Sequence, residues 1–172
     1  MLNLPINILL IEEDSVNNSM QQLLSVEAGL VQFHITRVAT FTQAFDSGLY
    51  QDCHLVVYRL QARDYSANEN ITMLLQKAPH LPVVVLVDAG QEDRGRAAQK
   101  VGARSYLVAA GLTREVAARV FLHAIECQSY MNTINTQEQH ILQSIIDALP
   151  QNVAIISGEG NILAVNRAWQ AF

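Results

Sequence analysis

Charged residues follow two apolar runs of this sequence. The run Ile6–Ile11 is followed by the acidic residues 12–14, and the run 54–58 is followed by Arg59. Apolar runs of this length are typical of strands buried on both faces of a parallel sheet. Because ligands and catalytic groups collect at the carboxyl edge of an open α/β sheet, we expect the guanidinium of Arg59 to face the carboxylates there.

The guanidinium of Arg59 limits the reactions that this cluster of charged residues can catalyse. Carboxylates can hold a divalent metal for phosphoryl transfer, but the transfer also needs a nucleophilic oxygen and donors for the phosphoryl oxygens. Arginine stays protonated and cannot be a nucleophile. It can pair with a carboxylate and take the place of the metal, which predicts a closed pocket that does not need Mg²⁺. The alternative is that Arg59 points into solvent and leaves the acids as a solvated patch.

Alternating strands and helices must position these groups. Apolar runs and cap signals predict strands at 6–11, 31–38, 55–58, 83–87 and 105–108, with helices at 15–29, 40–48, 68–78 and 92–101 between them. Short connections and right-handed crossovers then predict an α/β fold, a doubly wound parallel sheet covered on both faces.

The amino-acid composition disfavours disordered, nucleic-acid-binding and membrane-spanning proteins. Of the 172 residues, 50% are hydrophobic and 16% are charged, which is enough apolar material for a folded core. Sixteen acidic and eleven basic residues give a net charge of −5, which does not favour nucleic-acid binding. The apolar runs are too short to span a bilayer, and the N-terminus lacks a signal core. We expect a cytoplasmic protein that binds neither nucleic acid nor membrane.

The cysteines and histidines show no metal-binding pattern in the sequence. Cys53 and Cys127 lie in periodic apolar segments without a Cys-x-x-Cys motif, and the five histidines are scattered. We therefore expect reduced cysteines in a core or an interface, no metal site and no cofactor.

A 3,4 repeat of mostly apolar residues begins after residue 112. Its positions are Val120, Ala124, Cys127, Met131, Ile134, Glu138, Ile141, Ile145 and Ala148. This spacing is typical of a coiled coil and predicts one helix from Arg114 to Leu149 that dimerises the chain, with Glu138 weakening the seam but fixing its register. The alternative is a break at 132–136, with a first helix that packs within the chain up to about Cys127.

The segment after Pro150 has a different pattern. Strands at 153–156 and 162–165, joined through Gly158 and Gly160, predict a hairpin, and residues 166–169 start a helix. A hairpin and one helical turn cannot form an independent core, so we expect this segment to belong to a domain that continues beyond Phe172.

Four blocks of the sequence resemble the receiver domains of response regulators. Residues 8–14 are similar to the first strand and acidic pocket of that family, 55–64 to the third strand and its loop, 82–87 to the fourth strand, and 102–109 to the fifth. The resemblance covers roughly residues 5–127. It implies a flavodoxin-like, five-stranded parallel sheet in the order 2-1-3-4-5.

The resemblance also assigns a pocket. In receiver domains two acids bind Mg²⁺, an aspartate ending the third strand accepts the phosphoryl group, and a hydroxyl and a lysine contact the phosphoryl oxygens. The matching positions in this chain are Glu12, Glu13, Arg59, Val87 and Ala109. Because the acceptor, the hydroxyl and the lysine are all missing, the resemblance implies a degenerate pocket without enzyme activity.

Three further side chains near the strand ends have structural interpretations. Tyr106 matches the aromatic switch position of receiver domains, and we expect it to be a packing residue in a chain that has no phosphate to report. We expect Asp88 and Asp93 to be helix-cap and surface carboxylates.

The C-terminal segment resembles the start of a PAS sensor domain. Residues 142–150, the two hairpin strands and Asn166 match the helix-into-hairpin entry of that family, which implies an α+β fragment. The predicted organisation is a receiver-like domain at 1–127, a helical coiled-coil linker at 128–149 and a PAS fragment at 150–172.

The leading hypothesis is a phosphorylation-independent signalling module, a pseudo-receiver. It would form a homodimer through the long helix, contact a signalling partner, and relay conformation to the PAS domain and an output domain. The alternative is a phosphoacceptor receiver that uses a non-standard aspartate, Asp52 or Asp64. A third hypothesis, a flavodoxin-type small-molecule binder, is disfavoured because the acidic loop after the first strand would repel phosphate.

Overall fold

Five apolar segments form the strands of one parallel sheet in this computed structural model. The structure describes residues 5–12, 23, 32–61 and 64–171, and the sheet lies in the first of two units, Met1–Gln128. Its strands are β1 (Ile6–Ile11), β2 (Phe33–Val38), β3 (Leu55–Arg59), β4 (Val83–Val87) and β5 (Ser105–Val108). The order β2-β1-β3-β4-β5 confirms the predicted doubly wound, flavodoxin-like α/β fold.

Helices connect and follow these strands. They are α1 (Phe41–Asp46), the 3₁₀ helix Leu49–Asp52, α2 (Ala67–Lys77), α3 (Glu92–Lys100) and α4 (Arg114–Asp147). Thr40 caps α1 through its hydroxyl, which accepts a hydrogen bond from the backbone N–H of Gln43. No sequence signal predicts the 3₁₀ helix, which begins after Gly48 at a positive φ of 67°. The helix predicted between β1 and β2 lies outside the described residues except for Leu23.

Side-chain alternation along the strands produces two apolar clusters. The first contains Leu9, Ile11, Val56, Tyr58 and Val85, and residues of α1, α2 and α3 pack in it. The second contains Ile8, Leu10, Leu55, Val57 and Leu86, together with residues of α4. Strand β4 is buried along its whole length, as expected for a parallel sheet covered on both faces.

The long helix α4 is continuous. It runs for 34 residues through the segment 132–136, as the leading prediction of one helix has it, so the alternative of a break there is wrong; the helix ends two residues before the predicted Leu149. Ala117 and Phe121 on its first turns are fully buried in the second cluster. None of the helices in the described part of the chain is long and apolar enough to cross a bilayer.

The second unit, Ser129–Phe172, contains the predicted hairpin. Strands β6 (Ala154–Ile156) and β7 (Ile162–Val165) pair antiparallel, and the short helix α5 (Arg167–Gln170) follows them. Gly160 in the connection has a positive φ of 87°, a conformation that glycine adopts without steric cost.

Asn166 holds the second unit together through a fully buried side-chain amide. Its Nδ2 donates hydrogen bonds to the carbonyls of Ile146, Leu149 and Gln151 at 2.7–3.1 Å. Its Oδ1 accepts from the backbone N–H groups of Val153 and Trp169 at 3.0 and 3.1 Å. One side chain therefore ties the end of α4 to both β6 and α5.

Replacing Asn166 by aspartate is expected to loosen the hairpin. The carboxylate cannot donate to the three carbonyls, and unmet buried groups cost about 1–3 kcal/mol each. Backbone amides between Val153 and Trp169 should exchange with deuterium about a hundredfold faster in Asn166→Asp. The exposed Asn152→Asp change is the matched control, and equal exchange in the two variants would contradict the role of Asn166.

Candidate functional site

Four charged side chains form a row at the carboxyl edge of the sheet. Arg37 lies near the end of β2, Glu12 directly follows β1, Arg59 ends β3, and Asp88 directly follows β4. Because these strands are neighbours in the order β2-β1-β3-β4, the charges alternate in sign along the edge. We call these four residues the strand-end ion network.

The four side chains of the network lie on one face of the sheet, because alternate residues of a strand point to the same face. The residues two places before the network members pack in or against the second apolar cluster: Ile35, Leu10, Val57 and Leu86. Side chains two positions apart on a strand point to the same face. The pairing of Ile11 with Tyr58 puts the next residues, Glu12 and Arg59, level with each other.

The carboxylate of Glu12 is the centre of the network. It is 2% exposed, and its Oε1 accepts a hydrogen bond from Arg59 Nη1 at 2.6 Å. Its Oε2 lies 3.5 Å from Arg37 Nε, and Arg59 Nη2 donates to Asp88 Oδ1 at 3.2 Å. A buried carboxylate flanked by two guanidiniums has its charge compensated within the protein.

The Arg59 guanidinium is a permanent cation. Partial burial lowers its pKa, but the hydrogen bond and charge of Glu12 and the nearby Asp88 outweigh burial and hold the pKa above its ordinary value. The side chain is 16% exposed. The alternative in which Arg59 points into solvent is therefore wrong.

Two predicted residues and one that was not predicted concern the network. Asp88 is bound to Arg59 and does not cap α3, whose N-cap residue is Gln91 without a side-chain cap bond, so the helix-cap interpretation is wrong. Glu13 lies outside the described residues. Arg37 is absent from the predicted site, and its position near a strand end, on the same face as Glu12, is the signal that identifies it.

The remaining pocket positions are apolar or aromatic. Val87 is fully buried, and Ala109 is partly buried beside the second cluster. The ring of Tyr106 lies against Gly95 of α3, so closely that a methyl group at Gly95 would fall 2.5 Å from Tyr106 Cγ. The absence of a side chain at Gly95 therefore leaves the space in which the ring of Tyr106 packs.

Hydrogen bonds engage Gln61 and Asp64, which follow β3. Arg94 of α3 donates to the carbonyls of Gln61 and Asp64. The Tyr58 hydroxyl donates to Asp64 Oδ2 and accepts from Asn70 Nδ2. Burial, together with the bond to Asp64, raises the pKa of Tyr58, so this hydroxyl stays protonated.

The two alternative phosphoacceptors lie apart from the network. The carbonyl of Asp52 accepts a hydrogen bond from Asn7 Nδ2 near the start of β1, which puts this residue at the amino edge of the sheet. Asp64 lies on the carboxyl side, but its carboxylate is engaged by the hydroxyls of Tyr58 and Ser66.

A cleft of about 280 Å³ opens beside Arg59. Its lining includes the polar side chains of Thr40, Thr42, Tyr58, Gln61, Asp64, Ser66 and Asn70. Arg59 and Asp64, the charged groups of the lining, are already paired within the protein. Within the described ranges no group of three or more His, Cys, Asp and Glu residues is arranged to hold a metal ion.

The predicted dimer seam divides into a covered part and an open part. Ala124 is 2% exposed in the second cluster, so the chain's own sheet covers it and it is not available to a partner. Val120 is partly buried against the same cluster. Met131, Ile141 and Ile145 are 43%, 61% and 59% exposed. Cys127 and Ile134 are partly exposed.

His123 and Cys127 lie together on α4, contrary to the expectation that no histidine has ligand spacing. They are four residues apart on one helical face, with His123 Nε2 3.6 Å and Nδ1 3.9 Å from Cys127 Sγ. The other cysteine, Cys53, donates a hydrogen bond to the carbonyl of Leu49. Burial and the nearby Asp52 raise the pKa of Cys53 to about 11.

Solved structures with the same fold are receiver domains. A response regulator receiver domain from Clostridium thermocellum is 19% identical, with a TM-score of 0.61 over 73% of this chain and 98% of its own. A CheY-like receiver domain from Methanospirillum hungatei is 13% identical, with a TM-score of 0.60 over 74% and 99%. NtrX from Brucella abortus, in complex with ADP, is 13% identical, with a TM-score of 0.65 over 90% and 32%. These likenesses show the receiver fold.

The sequence comparison matches a smaller part of this chain than the structural comparisons do. No protein-family model matches it. An uncharacterized 104.1 kDa protein in the hypE 3′ region of Rhodobacter capsulatus is 39% identical over 44 residues. That match covers 26% of this chain and 5% of the relative's length.

Removal of the Glu12 charge is expected to destabilise the first unit. The change Glu12→Gln leaves two guanidiniums beside a buried neutral amide, and breaking a buried pair costs about 3–5 kcal/mol. Since both arginines keep some contact with solvent, we expect about 3 kcal/mol, measured by chemical denaturation. Asp93→Asn, which breaks the exposed pair with Arg96, should leave the midpoint unchanged. Equal midpoints for the two variants would contradict the importance of the network.

Proposed function

We propose that this chain is a phosphorylation-independent, receiver-like signalling module. It dimerises through α4, contacts a signalling partner and relays conformation to a PAS domain and an output domain. One observation carries the proposal: at the strand end where a receiver domain bears its phosphoacceptor, this chain has a guanidinium bonded to Glu12 and Asp88.

The absence of phosphoryl chemistry follows from the side chains at the carboxyl edge. Arg59 offers no nucleophilic oxygen, Val87 no hydroxyl and Ala109 no ammonium. Arg59 also neutralises the carboxylate that would hold a metal in a receiver domain. A pocket that already contains its own cation has no electrostatic need for Mg²⁺.

The exposed stripe on α4 supports dimerisation. Met131, Ile141 and Ile145 expose apolar surface at seam spacing, and its burial stabilises by about 25 cal/mol per Å². Between residues 120 and 147 the helix has no Lys or Arg, and its acidic residues are Glu126, Glu138 and Asp147. Apart from Glu138, which lies in the seam and weakens it, few charges accompany the stripe, so it offers little for a partner selected by charge, which favours a homodimer.

Contacts at the end of α4 support relay into the hairpin. Gln143 Nε2 donates to the carbonyl of Val165 at 3.0 Å, and Asp147 Oδ1 accepts from the backbone N–H of Arg167 at 2.7 Å. With the amide of Asn166 they connect the last helical turn to β7 and α5. A shift of that turn is therefore transmitted to the hairpin, which resembles the entry of a PAS domain.

Incubation with acetyl phosphate and Mg²⁺ tests the loss of phosphorylation. Intact-mass spectrometry should find no phosphoryl adduct of about 80 Da under conditions that label a receiver domain with an intact acceptor aspartate. An adduct that disappears in Asp64→Asn would establish the alternative, a receiver with a non-standard acceptor.

Light scattering on the chain at tens of micromolar tests the homodimer. We expect a dimer, and Met131→Asp should weaken association at least about tenfold, because the change buries a carboxylate in the apolar seam. Gln139→Asp adds the same charge at an exposed position of the same helix outside the seam, and it should retain the dimer. The proposed dimer seam would be contradicted if the unmodified chain were monomeric, or if the Met131→Asp variant associated as the unmodified chain does.

A further inference from the structure

The His123–Cys127 pair on α4 is a candidate half-site for a metal ion. His123 is exposed and Cys127 is partly exposed. Imidazole nitrogen and thiolate sulfur are the ligands that structural zinc sites use in proteins, and a spacing of four residues places both on one helical face. Neither side chain has a role in the network at the carboxyl edge of the sheet.

The two ligand atoms lie at the separation that one zinc ion would span. Bonds of about 2.3 Å to sulfur and about 2.0–2.1 Å to nitrogen, at a tetrahedral angle, put sulfur and nitrogen about 3.6 Å apart. The distance from His123 Nε2 to Cys127 Sγ is 3.6 Å. Because Nδ1 also lies only 3.9 Å from Sγ, the sulfur sits beside the imidazole ring, and binding of one zinc ion by both atoms requires the ring of His123 to rotate.

A second copy of the chain supplies the missing ligands. A closed structural zinc site needs four protein ligands, and in the described part of one chain no third His, Cys, Asp or Glu side chain completes this pair into a larger group. Cys127 is the seam position next before Met131 and is partly exposed. Identical seam positions meet in a parallel helix pair, so two copies bring two such pairs together.

We propose that two copies of this chain bind one Zn²⁺ between parallel α4 helices, through His123 and Cys127 of each copy. The inference rests on the proposed homodimer and adds to it a helix orientation and a ligand. On binding, each Cys127 thiol loses its proton to solvent and coordinates as a thiolate, while each His123 binds as the neutral imidazole. The site has no open coordination position and is structural.

Cys53 is not a competing ligand. Its thiol donates to the carbonyl of Leu49 at 3.0 Å, and it is partly buried beside the first apolar cluster. The raised pKa of Cys53, about 11, keeps this thiol protonated near neutral pH. Cys53→Ser is therefore a matched control for the loss of one thiol.

Titration of residues 1–172 with Co²⁺ and Zn²⁺ under reducing conditions tests the site. We expect ligand-field bands of tetrahedral Co²⁺, a thiolate-to-metal charge-transfer band, displacement by Zn²⁺, and one metal per two chains by elemental analysis. Cys127→Ser and His123→Gln should each weaken metal binding at least about a hundredfold. Cys53→Ser and His140→Gln, which changes an exposed histidine on the same helix, should bind as the parent does.

Light scattering with and without chelator separates this inference from the proposed homodimer. A chain that is a dimer in both conditions but binds no metal overturns the zinc site and leaves the dimer standing. One metal per chain, or binding that survives Cys127→Ser or His123→Gln, also overturns the site. A chain that is monomeric with chelator and dimeric with Zn²⁺ supports the site and shows that the seam alone does not hold the dimer.

Discussion

The contact between the Glu12 carboxylate and the Arg59 guanidinium determines the character of the carboxyl edge. Glu12 is 2% exposed, and an isolated charge at that depth would be unstable. It is tolerated because Arg59 and Arg37 approach its two oxygens. Asp88 then balances the second cation, so the charges are compensated along the ends of four neighbouring strands.

The way in which charge is compensated at this edge differs from that in a carboxylate site that binds a metal ion. In such a site, carboxylates that repel one another are brought together by a metal ion from solution, and the protein changes state as the ligand arrives. In this chain both signs of charge are covalently attached. Gln61 and Asp64, after β3, also accept hydrogen bonds from Arg94 and Tyr58.

The fold was predictable because strand burial and helix caps leave local signals. The strand order and the pairing of Glu12 with Arg59 could be anticipated from a resemblance and from the rule that strand ends share an edge. Arg37 and Asp88 are harder to find, because their contacts depend on which strands are neighbours and which face each residue takes. Burial of Ala124 could not be read from the 3,4 repeat, since a helix that packs on its own sheet shows the same spacing. The proximity of His123 to Cys127 was readable from their spacing of four.

The covalent attachment of Arg59 has a consequence for how such a module is controlled in a cell. A tethered counter-ion cannot be diluted, chelated or exchanged, so the charge of Glu12 is compensated at any concentration of free magnesium. In the proposed function, small phosphodonors produced by metabolism find no group to modify. In that function, input to this half of the chain comes from its binding to other molecules, so the stoichiometry of those complexes becomes the controlled quantity.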